Sequence, residues 1–150
     1  MTAIPILRVL ERVHGHLGWL AAVALVHPAI LLRNPARRAR LSAVLAAAAA
    51  TAAAALGAGI YPAYRRQIKQ HLFIESPTLG WLFERKEHLA VAVVAFAWVG
   101  CLTHCAAAWF PTRELTTTMR RTAHRAYCIA AAFAVAVALL GVAVASKRSF

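Results

Sequence analysis

Charged residues are missing from four long stretches of the chain: residues 13–32, 41–64, 89–112 and 126–146. Each stretch is at least 20 residues long, enough for a helix rising about 1.5 Å per residue to cross the roughly 30 Å of a bilayer's hydrocarbon. The pattern predicts an all-α polytopic membrane protein, one four-transmembrane-helix bundle of up-down-up-down topology. Its expected helices cover about residues 6–33, 36–62, 77–110 and 118–146 of a single domain.

Local signals place the helix ends. Asn34 suits a cap and Pro35 the first turn of the second helix, which makes the first connection a tight hairpin. The second helix carries eleven alanines between Leu41 and Gly59, so neighbouring backbones can approach it closely. It is expected to end at Tyr61-Pro62. Residues 65–87 form the longest connection, in which Ser76-Pro77 has the form of a cap followed by a first-turn proline. The third helix is therefore expected to begin near Pro77, protrude, reach lipid near His88 and end at Pro111-Thr112. Threonines 116 to 118 offer a cap for the fourth. Tyr61, Tyr64, Trp81, Trp109 and Tyr127 fall near the ends of crossings, where amphipathic rings sit at the interface.

Composition agrees with the pattern. Hydrophobic residues make up 61% of the chain and mean hydropathy is +0.62, too apolar for a small soluble domain. The net charge of +12 does not indicate nucleic acid, because the basic residues lie in short connections at the level of lipid headgroups. The side of the termini carries nine Lys and Arg and the opposite side eight. Those eight crowd two short loops, which points to a cytoplasmic location for them and an outside location for the termini, in a bacterial inner membrane. Arg8 and Arg12 precede an apolar run as in a signal peptide, but no small-x-small site follows Val26-His27-Pro28, so the first helix is expected to be retained.

The seven histidines need an account, since ionisable groups at membrane depth are costly and usually mark function. His27 lies about 7 Å past the midpoint of the first apolar stretch and His104 about 5 Å past that of the third, at 1.5 Å per residue. The first and third helices run the same way, so both rings are expected at one level. Two neutral imidazoles facing each other there suit bis-histidine ligation of a haem iron. Small residues such as Gly18, Ala21, Ala24 and Gly100 would leave room for the macrocycle. His16 shares a face of the first helix with His27 and would serve a second haem with His88, although the two differ in depth; His14 or His71 could take their place. Arg12, Arg120, Arg121 and Arg125 are candidates to pair with haem propionates. Tyr61, Tyr64 and Glu87, the last beside His88, are candidates for a quinone and proton site.

Simpler readings stand beside these. His27 could bond across helices or line a kink at Pro28, and His14, His71 and His124 lie near interfaces. The stretch Phe83 to His88 could be a solvated face. Cys101, Cys105 and Cys128 lack a C-x-x-C-H pattern and read as small packing residues, although Cys101, His104 and Cys105 at i, i+3 and i+4 could join Cys128 around a soft metal.

On His16, His27, His88, His104 and the four crossings, the chain resembles small membrane cytochrome b subunits. The resemblance implies one or two b-type haems, electron transfer in a larger redox or respiratory complex, partner membrane subunits and quinone as a partner. The ligand spacings of 11 and 16 residues depart from the two-heptad repeat of the large cytochromes b. Two other functions compete: a cofactor-free accessory subunit whose histidines tie helices together, and a His/Cys metal-handling assembly protein.

Overall fold

The computed structural model describes residues 3–35, 37–109 and 112–147. Five α-helices account for nearly all of them: α1 (Ala3–Leu31), α2 (Arg40–Tyr64), α3 (Gln70–Glu75), α4 (Pro77–Ala106) and α5 (Arg113–Ala145). A π-turn over Arg65–Lys69 joins α2 to α3, and a 3-10 turn over Ala107–Trp109 ends α4. Four spans are long and apolar enough to cross a membrane: Pro5–Leu31, Arg40–Glu75, Pro77–Trp109 and Arg113–Ala145. The chain is an integral membrane four-helix bundle.

The distribution of side-chain size follows from lipid as solvent. The interior is mostly alanine, including Ala21, Ala22, Ala43, Ala46, Ala47, Ala97, Ala123 and Ala130. The larger Leu20, Val23, Ile30, Leu45, Val91, Leu102 and Leu139 face outward. In water that surface would expose a continuous apolar patch; in hydrocarbon it costs nothing, while the small interior residues let helices pack closely.

α1 packs against α2 and α5, and α4 packs against the same two helices. α1 and α4 therefore occupy opposite corners. The Tyr127 ring, fully buried, fills the centre, and its hydroxyl donates to the Ala43 carbonyl at 2.9 Å, which ties α5 to α2. Gly100 makes this possible, because a Cβ there would stand 2.9 Å from the Tyr127 ring.

Several expected boundaries move. α2 begins at Arg40 instead of residue 36, and Ala36 itself lies outside the described residues. Asn34 accepts from Arg37 and donates to Leu31 in a turn instead of capping a helix. That turn is held by Arg120 of α5, whose guanidinium donates to the carbonyls of Leu31, Leu32, Asn34 and Arg37. At its other end α2 does not stop at Pro62. It runs on through the π-turn and α3 to Glu75, so the expected connection 65–87 is a helical hairpin broken only at Ser76. Ser76 accepts from the Leu79 amide and Pro77 occupies the first turn, as its sequence signal implied. The hairpin closes with Tyr64 stacked on Phe83 at 4.8 Å and Phe73 edge-on to Trp81 at 5.9 Å. α5 starts at Arg113 rather than at 118. Thr116 and Thr117 donate to carbonyls four residues back, which makes them helix-interior residues and not caps. The expected end of the third crossing at Pro111 lies outside the described residues.

Candidate functional site

Two polar regions occupy opposite ends of the bundle. At the end of the short connections, His27 is exposed on α1 and shares a 2.8 Å hydrogen bond with Ser42 of α2. His104 is half-buried on α4; its Nδ1 is the buried side-chain nitrogen or oxygen that finds no hydrogen-bond partner among the described residues. Arg40 and Arg120 lie within electrostatic reach of it, which puts His104 near the level of the α2 start, where Ser42 holds His27. The helices that carry the two histidines stand on opposite corners. The room expected at Gly100 is filled by the Tyr127 ring, and Ala21 is packed into the core.

His104 keeps its orphaned nitrogen. His27 is held by Ser42 of α2, on a helix at the corner opposite α4. His16 is exposed on α1, and His88 is exposed on α4 with its Nδ1–H donating to the Glu84 carbonyl at 2.8 Å. Of the arginines considered for propionates, Arg12, Arg121 and Arg125 are exposed. The Arg120 guanidinium is already engaged by the α1 end.

Two of the other histidines bond to backbone. His14 Nδ1–H donates to the Ala53 carbonyl at 3.0 Å, against Gly57, and His124 Nδ1–H donates to the Ala29 carbonyl at 2.9 Å. His71 is exposed on α3. Cys128 sits 3.8 Å from the His124 ring and away from His104, and among the described residues no group of three or more His, Cys, Asp or Glu side chains is arranged to hold a metal ion. The soft-metal arrangement with Cys101, His104 and Cys105 is thus not formed.

At the end of the termini, polar side chains meet one another. Lys69, on the π-turn, pairs with Glu84 at 2.5 Å and lies 3.9 Å from Glu87. Its ammonium also donates to the Tyr61 hydroxyl at 3.2 Å and stands 5.6 Å and 5.9 Å from the Tyr61 and Phe83 ring centres. Lys86 approaches the Phe83 ring at 5.3 Å, with Glu11 and His14 of α1 within electrostatic reach. Tyr61, Tyr64 and Glu87 thus come together around Lys69 and Phe83. Tyr61 also lines an open groove of about 380 Å³ with Pro62, Arg65, Arg66 and Gln70. Tyr61 therefore belongs both to the groove and to the ion-paired cluster.

Sequence reasoning missed Lys69, the centre of the cluster, because it was placed in a loop. The signal was the spacing of three between Glu84 and Glu87, which sets two carboxylates on one helical face. Ser42 was also missed. Ser42 and Thr51 are the two Ser or Thr residues of the stretch 41–64, and both serve other helices, Thr51 accepting from Trp98 Nε1–H at 2.9 Å.

In comparisons with known proteins, no family model, no curated protein and no solved structure matches this chain. The likeness to small cytochrome b subunits rests on architecture and histidine placement alone.

Proposed function

We propose that this chain is a membrane subunit of a larger redox complex, binding the headgroup of a quinone-class carrier at the termini end and conducting protons there. The observation that carries this reading is Tyr61, which lines the groove on one side and bonds to the Lys69–Glu84–Glu87 cluster on the other. Ion pairs at the edge of an apolar bundle are costly to desolvate and mark function more often than stability.

The chemistry suits the geometry. A quinol that is oxidised releases two electrons and two protons; reduction of the quinone takes them up. Because Lys69 donates to the Tyr61 oxygen, the hydroxyl's own hydrogen is free to donate to a carbonyl oxygen in the groove. In reduction of the quinone Tyr61 gives its hydroxyl proton to the carbonyl oxygen, Lys69 replaces it along the bond it already makes, and Lys69 is reprotonated from Glu84 or Glu87; oxidation of a quinol runs the relay backwards. Arg65 and Arg66 stabilise negative charge that develops on the headgroup. The electrons are exchanged with a redox centre, and this chain's part is to hold the headgroup and move the protons. The eight basic residues crowded into the short loops favour a bacterial inner membrane with the termini outside, which sets the groove near the outer face.

The test is binding of a short-chain ubiquinone analogue to the purified chain in detergent. Tyr61→Phe and Glu87→Gln are expected to weaken it about tenfold, near the value of one hydrogen bond, without changing helix content. Unaltered affinity in both variants, or no saturable binding by the unaltered chain, would defeat the reading.

The orphaned Nδ1 of His104 favours a second reading, in which a b-type haem takes His104 as one axial ligand and the chain carries electrons as well. Reduced-minus-oxidised spectra of chain purified from haem-replete cells decide it: b-type bands that vanish in His104→Ala support it, and a flat spectrum removes it.

A further inference from the structure

At the opposite end from the proposed quinone groove, Arg38, Arg40, Leu41 and Val44 line an open groove of about 460 Å³ where α2 begins. We propose that this groove binds an anionic phospholipid, with the Arg38 and Arg40 guanidiniums on its phosphodiester and Leu41 and Val44 along an acyl chain. The proposal rests on different residues from the quinone reading and stands independently of it.

Charge is the first argument. The chain has no acidic residue between Glu11 and Glu75, so no carboxylate of this segment competes for the two guanidiniums. Neither Arg38 nor Arg40 has a hydrogen-bond or ion-pair partner among the described residues. The contrast with Arg120 is direct: that guanidinium turns inward onto four backbone carbonyls, whereas Arg38 and Arg40 are exposed. Guanidinium is the side chain best shaped to meet two phosphate oxygens at once.

Shape and depth supply the rest. Leu41 is 72% exposed and Val44 42% exposed, and a spacing of three sets them on one side of α2. Leu45, also exposed, continues the strip. Arg40 immediately precedes the charge-free stretch 41–64, which puts the two guanidiniums at headgroup level and the strip in hydrocarbon. A soluble anion would use the arginines alone. A phosphodiester carrying acyl chains uses both halves of the groove.

The experiment is titration of dioleoylphosphatidylglycerol into the purified chain in neutral detergent, read by native mass spectrometry and by the shift in thermal unfolding. Dioleoylphosphatidylcholine is the zwitterionic comparison. The unaltered chain is expected to retain phosphatidylglycerol selectively, and Arg38→Gln with Arg40→Gln to bind it about thirtyfold more weakly, from the usual contribution of two basic residues at a membrane surface. Arg33→Gln with Arg113→Gln removes the same charge from the same side outside the groove and is expected to keep full affinity. Leu41→Ser is expected to weaken lipid binding while leaving inorganic phosphate unaffected. The proposal is overturned if phosphatidylcholine binds equally well, if the Arg33 and Arg113 pair loses as much affinity, or if inorganic phosphate displaces the lipid at equal concentration.

Discussion

The two ends of the bundle use polar side chains in opposite ways. At the end of the short connections the polar groups that are paired bond mostly to backbone: His124 to the Ala29 carbonyl and Arg120 to the end of α1, with His27 on Ser42 as the side-chain exception. At the end of the termini, Lys69, Glu84, Glu87 and Tyr61 pair with one another beside a groove. A side chain that completes a backbone is a fastening, since its removal leaves an unmet carbonyl in a low-dielectric interior. Side chains that complete one another keep exchangeable protons and can be regrouped by a ligand. The difference lies in whether the partners of a polar side chain are backbone or other side chains.

The comparison breaks first at its strongest fastening. Arg120→Ala is expected to lower stability by about 2 to 3 kcal/mol, because its charge-assisted bonds to four backbone carbonyls, two of them part-buried, are lost together. Lys69→Met at the other end should change stability by less than about 1 kcal/mol, the usual range for a partly exposed ion pair. Thermal unfolding of both variants in one detergent measures the contrast, and equal losses would erase the distinction between the ends.

The centre that separates the two ends is expected to respond next. Gly100→Ala drives a Cβ to within 2.9 Å of the buried Tyr127 ring and should cost about 1 to 3 kcal/mol by overpacking. Gly18→Ala meets open space and should leave the unfolding midpoint in place. Similar midpoints for the two would mean that the Tyr127 ring is not locked.

The smallest effect sharpens the reading of His27. His27→Ala and Ser42→Ala should each cost about 0.6 kcal/mol, an average interhelical hydrogen bond in a membrane. The double variant should cost no more than either single change if the two side chains serve only each other. Additive losses would show that His27 has another partner.

Much of the architecture was legible in the residues. Four charge-free stretches long enough to span lipid leave only helices as a way to satisfy the backbone, and the Ser76-Pro77 signal marked the one break in the long hairpin. Less legible were boundaries that depend on distant residues. Asn34-Pro35 reads locally as a helix start, yet Arg120, more than eighty residues away, holds that segment as a turn. Pro62 reads as a stop, yet packing of Tyr64 on Phe83 carries the helix onward.

Sequence alone determined that this is an α-helical membrane protein, since hydrophobic length and the cost of unpaired backbone in hydrocarbon are properties of single segments. It also set the depth of each histidine along its own helix, because rise per residue is constant. Which helices are neighbours, and so which side chains meet, was decided only by tertiary packing: α1 and α4 stand at opposite corners around Tyr127, and Lys69 is folded back onto Glu84 and Glu87. Depth is a one-dimensional quantity that a chain carries in its order; contact requires the angular placement of helices around a shared axis, which comes only from how their faces fit.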